Sequence, residues 1–317
     1  MDYDIVGDVH GNADALEALL TRMGYSNRAG CWTPPTGRTL IFVGDLIDRG
    51  ERQLDSVQIA RRMVDANYAL AVMGNHELNA LAWFHGYRKK SPKNRKQHHK
   101  FLAEISDDGA LHRELILWFQ TIPLWLDLPE LRVVHACWDP WSLDILREAA
   151  RDARLDENLL KQATGGGSNS LGADGTRPTC DTVYSAVETL AKGVEVDLPY
   201  GLSYRDKDGT ERYNARIKWW LQGRSFAEGA FLPIQFLEDL SPAVRIGLDA
   251  AIPTEASLGY DNEKPLFLGH YWRTGLPSLL TPYIACVDYS AGKGGPLVAY
   301  QWRGEDQLTS ANFISSR

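Results

Sequence analysis

Thiols are scarce in this chain. Four cysteines in 317 residues stand far apart, at Cys31, Cys137, Cys180 and Cys286. Such spacing offers neither a disulfide framework nor a thiolate metal site, and it fits a reducing compartment. Long apolar runs are missing as well: nothing approaches the roughly 18 residues that a membrane-crossing helix needs. The sequence does not open on a basic segment followed by an apolar stretch, so no signal peptide is expected and a cytoplasmic location is. There is no excess of cations. The net charge of −7 argues against bulk nucleic-acid binding. No internal repeat is visible, and no G-x-G-x-x-G follows the first strand, which removes a dinucleotide-binding fold.

What is present is a globular composition, 44% hydrophobic and 24% charged. Residues 3–7 read as a short buried strand, and Ala15, Leu16, Leu19, Leu20 and Met23 follow at helical spacing. Residues 39–43 give a second strand, 51–64 a helix and 68–73 a third strand. Strands this apolar, alternating with helices, predict an α/β fold with both sheet faces covered. Beyond them a helical stretch to about residue 119, interrupted by a basic segment, is expected. Strands follow at 124–128 and 131–136, helices at 139–163 and 182–191, and a loop or flap at 164–179. Three late strands near 265, 283 and 296 lack crossover helices, so the sheet is not purely parallel. The stretches 84–121 and 193–240 read as substrate-facing insertions on one domain spanning 1–317. Trp219, Trp220 and the pair Trp138 and Trp141 could be core or line a groove, and most of the ten tryptophans are assigned to the core.

The strands share a habit of ending in polar clusters. The first ends GDVHG, with Asp8 and His10; the second ends GDLIDRG, with Asp45, Asp48 and Arg49; the third ends GNHE, with Asn75, His76 and Glu77. His135 ends a later strand, and GHYW, with His270, another. Ligands of α/β folds gather beyond the carboxyl ends of strands, so these clusters are expected to form one site. Carboxylate, imidazole and amide oxygen together suit manganese, iron or zinc. The set exceeds what one tetrahedral ion requires, and a carboxylate bridging two ions would use it fully. Arg49 offers a planar fork for phosphate. Glu77 reads as a helix-start carboxylate, and His85, His98, His99 and His112, which lack strand-end context, as ordinary surface or helix residues.

This series of motifs, from Gly7 to His270, resembles the calcineurin-like metallophosphoesterase superfamily, and GDxxDRG with GNHE most resembles its phosphoprotein-phosphatase branch, which includes symmetrical diadenosine-tetraphosphate hydrolases. The resemblance implies a four-layer αββα sandwich with two mixed β-sheets. It implies two divalent ions, manganese first and iron or zinc as alternatives, with Asp8 and His10 on one, Asp45 between them, and Asn75, His135 and His270 on the other. His76 takes the place of the catalytic histidine and Asp48 that of its carboxylate partner. Arg49 resembles the phosphate-binding arginine. Asn75 joins it on the phosphate side. A second phosphate-gripping arginine is expected, for which Arg216 is favoured over Arg212, Lys218 and Arg224. Trp272 stands where many relatives outside this branch carry another metal-binding histidine. Tyr289, Ser290 and Lys293 read as structural or rim residues.

The expected chemistry is hydrolysis of a phosphoester by in-line attack of a metal-activated water, with no covalent intermediate. Phosphate monoesters, on proteins or small molecules, are the preferred substrates. A dinucleoside polyphosphate (Ap4A-type) hydrolase is the alternative, and a non-enzymatic metal-binding module, which would leave Arg49 and His76 idle, comes last. The basic stretch Arg88–Lys100 reads as a solvated surface insertion; in the alternative, Lys89, Lys90, Lys93, Arg95 and Lys96 grip distal phosphates.

Overall fold

The computed structural model describes residues 2–164, 170–172, 182–205, 209–233, 236–237 and 241–317. The first strand, Asp2–Val6, lies at the centre of a five-stranded sheet, between Val298–Trp302 and Arg38–Phe42. Phe313–Ser315 and Ala69–Ala71 form the two edges. Ile5 lies opposite Ile41 in a parallel pairing and opposite Tyr300 in an antiparallel one. The second sheet runs Ile284–Cys286, Leu266–Leu268, Arg132–Val134, Trp125–Asp127, with only the last strand antiparallel to its neighbour. Both sheets are therefore mixed.

Strand alternation decides how the layers stack. Tyr3, Ile5, Ile41, Val43, Tyr300 and Trp302 turn towards the second sheet and pack with Leu131, Val133, Phe267 and Ala285. Val6, Leu40 and Phe42 turn the other way, into the same cluster as Leu16, Leu19 and Leu20 of helix Ala13–Arg22 and Val57, Ala60 and Met63 of helix Gln53–Asp65. Outside the second sheet, Val134, Leu266 and Ile284 belong with Leu143 and Leu146 of helix Pro140–Ala149 and Leu190 of helix Val183–Lys192. The result is the helix–sheet–sheet–helix sandwich. Each such fully buried side chain contributes about 1.5–3 kcal/mol relative to exposure, so both faces hold the strands firmly.

Several elements differ from the sequence expectation. The basic segment does break the helical stretch, between Asn75–Phe84 and Pro92, but most of it then forms a helix of its own, Pro92–Ile105. Ser91 caps it by accepting the Asn94 N–H, Pro92 starts it, and Phe101, Leu102 and Ile105 bury one face. The helix expected over 139–163 breaks into Pro140–Ala149 and Glu157–Thr164, with Asp152 (φ 53°) and Ala153 (φ 59°) between them in left-handed conformation. A hairpin, Ser26–Arg28 with Cys31–Thr33, and the edge strand Phe313–Ser315 were hidden because each is short and little buried. Within 193–240, Glu195–Asp197 pairs with Asn214–Arg216 and with Ser170–Leu171 in a small third sheet. Trp138, Trp219 and Trp220 are buried, as expected. Most of the loop expected at 164–179 lies outside the described residues. No helix among the described residues is long and apolar enough to cross a membrane.

Candidate metal centre

The polar loops interlock through their backbones. His10 N–H donates to Asp45 O, Gly11 N–H to Leu46 O and Gly50 N–H to His10 O, each at 2.8 Å. A Cβ on Gly50 would stand 2.3 Å from Gly11 O, and one on Gly74 2.3 Å from Asp45 N, so only glycine allows this approach. The neighbouring side-chain-bearing residues accept unusual backbone: φ is 50° at His10, 53° at Asp45, 71° at Asp48, 79° at Arg49, 69° at His270 and 45° at Trp272. Left-handed conformations outside glycine cost on the order of 1 kcal/mol each and persist only where the surroundings enforce them. Glu77 is one enforcer. Its buried carboxylate accepts the N–H groups of Asp45 and Leu46 (both 2.8 Å), Gly74 (3.1 Å) and Ile47 (3.3 Å). It is the helix-start carboxylate expected, and it also fastens the Asp45 loop to helix Asn75–Phe84.

Inside these loops, acceptors face acceptors. His10 Nδ1–H donates to Ile47 O (3.0 Å), which leaves a lone pair on Nε2. That Nε2 is buried without a hydrogen-bond partner among the described residues, 3.6 Å from Asp45 Oδ2. His135 repeats the arrangement: Nδ1–H donates to Val43 O (2.7 Å), and Nε2 faces Asn75 Oδ1 (3.2 Å) and Asp45 Oδ1 (3.5 Å). Asn75 Oδ1 also lies 2.9 Å from His270 Nδ1. Two triads, His10–Asp45–His76 and Asp45–His135–His270, keep their ligand atoms within 4.8 Å of one another and share Asp45. This is a dinuclear metal site. Asp8, expected beside His10, belongs to neither triad; its buried carboxylate accepts the His270 N–H (3.1 Å).

Electrostatics agree with a missing positive charge. Burial, with Asp288 nearby, pushes the Asp8 carboxyl well above its usual range. Burial and His76 depress His10 to about 3. Burial would also depress His135, but Asp45 overrides it and raises the imidazole to about 10. A divalent ion beside Asp45 would supply the positive charge that this buried carboxylate draws from its imidazole neighbours. The donor set, carboxylate and amide oxygen with imidazole nitrogen, fits two such ions.

Residues 1–170 match the pattern of the calcineurin-like phosphoesterases. The chain belongs to that family. Among curated relatives it is 36% identical over 146 residues to the asymmetrical bis(5'-nucleosyl)-tetraphosphatase PrpE of Halalkalibacterium halodurans, a match covering 43% of this chain and 57% of that protein. It is likewise 36% identical over 151 residues to the symmetrical bis(5'-nucleosyl)-tetraphosphatase of Salmonella paratyphi C, covering 47% and 48%. The chain spans about half the length of these relatives. A protein serine/threonine phosphatase from Saccharomyces cerevisiae aligns over 99% of this chain and 78% of its own, at 12% identity and a TM-score of 0.48, too loosely to bear on function.

Around the metal donors of this phosphoesterase-family chain, His76 Nδ1 lies 2.5 Å from Asp48 Oδ2. Burial opposes a charge on His76, and Asp45 and Asp48 outweigh it, so its pKa is raised. Burial would raise Asp48, and its bonds to His76 and His98 hold it down to about 2. That second partner corrects the reading of His98 as an ordinary surface or helix residue: it is buried against Asp48, carried there by the inward face of the basic helix. The basic stretch is likewise not wholly solvated, since Lys100 Nζ donates to Arg49 O (2.7 Å), although Lys89, Lys90, Lys93, Arg95 and Lys96 are exposed. Gln53, which no motif flagged, accepts the Asp48 N–H (2.6 Å) and donates to Gly50 O (2.7 Å).

Arg49 lays its guanidinium 5.1 Å from the Trp272 ring centre, and Lys293 Nζ stands 3.2 Å from the same centre. The Arg49 Nε is buried with no hydrogen-bond partner among the described residues. Asp288 accepts the N–H groups of Trp272 (2.8 Å) and Ser290 (2.9 Å), fixing this rim. Arg216 reaches Glu195 at 3.4 Å, and its Nε is also buried without a hydrogen-bond partner among the described residues. It lines a cleft of about 580 Å³ together with Arg212, Tyr204, Phe231, His270 and Trp272. Of its rivals, Lys218 donates to Glu228 O and Arg224 pairs with Glu228, both away from this cleft's lining.

Proposed function

We propose that this chain is a dinuclear metal-dependent hydrolase of dinucleoside polyphosphates. The observation that carries the reading is the cleft that opens beside His270, where Arg212 and Arg216 stand among Tyr204, Phe231 and Trp272. Cations beside aromatic faces suit a chain of phosphates that ends in bases. The similarity to bis(5'-nucleosyl)-tetraphosphatases supports it. A small monoester, the substrate class preferred from the motifs alone, is held by the metals and Arg49 and leaves this cleft unused.

When bound, two divalent ions supply positive charge to the scissile phosphate and an activated water for in-line attack. His10 would hold one, with Asp8 added by the motif rather than by the triads, and Asn75, His135 and His270 the other, with Asp45 between them; His76 Nε2, 3.8 Å from Asp45 Oδ2 in the first triad, is assigned to the departing oxygen and not to an ion. Arg49 takes up charge on the phosphate oxygens, and the unpartnered edge of Arg216 grips a neighbouring phosphate. His76, whose Nδ1 is engaged by Asp48, presents Nε2 to the departing oxygen and gives it a proton.

A panel run with added manganese tests the substrate class: diadenosine tetraphosphate, a phosphopeptide and an aryl phosphate. The expected kcat/KM for the dinucleoside exceeds that for the phosphopeptide by at least about tenfold, the effect of roughly 1.4 kcal/mol of added transition-state contact. Robust phosphopeptide turnover with no dinucleoside cleavage overturns the proposal.

A further inference from the structure

The basic helix brings to the site a residue that the reaction outlined above does not use. His98 is 1% exposed, and its Nδ1 lies 2.9 Å from Asp48 Oδ2 and 3.1 Å from Oδ1. Its Nε2 lies 3.1 Å from Arg88 Nη1. A guanidinium only donates, so Nε2 accepts, and the His98 proton resides on Nδ1 and is donated to Asp48. Arg88 also donates to Gln97 Oε1 (2.9 Å), and Gln97 Nε2 lies 3.3 Å from His76 Nδ1. Asp48, His98, Arg88 and Gln97 thus form a chain that ends against His76, where the Gln97 amide nitrogen and the His76 Nδ1–H touch without a hydrogen bond because both are donors. The helix that carries His98 is fastened to the same loop: Glu104 accepts the N–H groups of Gln53 (2.9 Å) and Leu54 (2.7 Å), and Lys100 holds Arg49 O.

We propose that His98, locked in its tautomer by Arg88, is a positioning residue for proton transfer: by occupying the second face of Asp48 it fixes that carboxylate and so keeps His76 aimed at the leaving-group oxygen. A carboxylate held by His76 alone can rotate about its own bond, and the imidazole would rotate with it. Two imidazoles on one carboxylate leave a single arrangement. The inference rests on the proton-donor role proposed for His76.

The experiment compares His98→Leu with His98→Asn, because the Asn amide places a donor where Nδ1–H stands. Initial rates are measured on phenyl phosphate, a poor leaving group, and 4-nitrophenyl phosphate, a good one, at equal metal content. For His98→Leu, kcat on phenyl phosphate should fall about tenfold, the value of one hydrogen bond to a charged group, with KM within about twofold. The loss on 4-nitrophenyl phosphate should be smaller, and His98→Asn should recover most of the phenyl phosphate rate. Equal losses on both substrates, or an Asn variant as impaired as Leu, overturn the proposal. His76→Ala serves as the control: if it shows no leaving-group dependence, the donor role itself fails, whereas a dependence in His76→Ala that is absent from His98→Leu defeats the inference about His98 alone. Should His98→Leu not fold, Arg88→Met takes its place with the same expected pattern. A readout free of turnover completes the test. Long-range proton–nitrogen spectra of the metal-free protein should show His98 as the Nδ1–H tautomer, and an Nε2–H tautomer contradicts the proposal.

Discussion

The two flanks of the metal centre are built on opposite plans. On one flank, His76 and His98 both bond to Asp48, and Arg88 bonds to His98 and Gln97, under the roof of helix Pro92–Ile105. On the other, Arg216 Nε and His270 Nε2 are buried with no hydrogen-bond partner among the described residues, beside an open cleft of about 580 Å³. Buried polar atoms are normally paired, and leaving one unpaired costs roughly 1–3 kcal/mol. A protein that covers one flank and leaves polar atoms unpaired on the other separates two tasks. The closed flank keeps a proton donor in one place, where any reorganisation would slow the reaction. The open flank keeps its polar atoms for a ligand.

Breaking the closed flank should have the largest effect. His76→Ala is expected to keep its metals and lose roughly hundredfold or more in kcat on poor leaving groups, the span of general-acid catalysis, with a smaller loss on nitrophenolate. Steady-state rates across aryl phosphates of graded leaving-group pKa, with metal analysis alongside, check this; a uniform loss contradicts it. Opening the other flank further should act on binding. Arg216→Ala is expected to raise KM for diadenosine tetraphosphate by about tenfold, as loss of a charge-assisted contact does, and to change aryl phosphate hydrolysis little. Equal effects on both substrates would mean that the cleft does not read the distal phosphates. Least of all should come from the exposed cations on the outer face of the roof. Replacing Lys89, Lys90 and Lys93 together by Gln should change kcat/KM for the dinucleoside by about threefold at most at low salt, and by less as salt screens it. A larger loss would extend the open flank over the roof.

How far the sequence foretold this contrast depends on where each residue lies. Asp8, His10, Asp45, Asn75, His135 and His270 end apolar strands, and strand ends meet in an α/β fold, so their convergence followed from local pattern. The sandwich followed too, because strands apolar on both faces require cover on both sides. His98 was illegible for the opposite reason. It sits within a run of cations, and neither strand nor motif marks it; only the packing of helix Pro92–Ile105 against helix Gln53–Asp65 turns it inward. Phe101, Leu102 and Ile105 carry the apolar face that sets this orientation, and read at helical spacing they were the available signal. Gln53 and Glu77 act through backbone N–H groups brought near by the loops, which a sequence does not display. The cleft was legible only as a region: 193–240 read as substrate-facing and Arg216 as a phosphate grip, but nothing periodic in these segments marked Tyr204, Phe231 and Trp272 as its walls.

The account depends most on Asp45 joining the two flanks. Calorimetric titration of manganese into the metal-free protein measures this directly, in the wild type and in Asp45→Asn, His10→Asn and His270→Asn. The expected stoichiometry is two ions per chain in the wild type, one tightly held ion in each histidine variant, and weakened binding of both in Asp45→Asn, because the shared carboxylate faces both triads. A wild-type chain that stops at one ion, or an Asp45→Asn chain that binds two at wild-type affinity, would contradict the account.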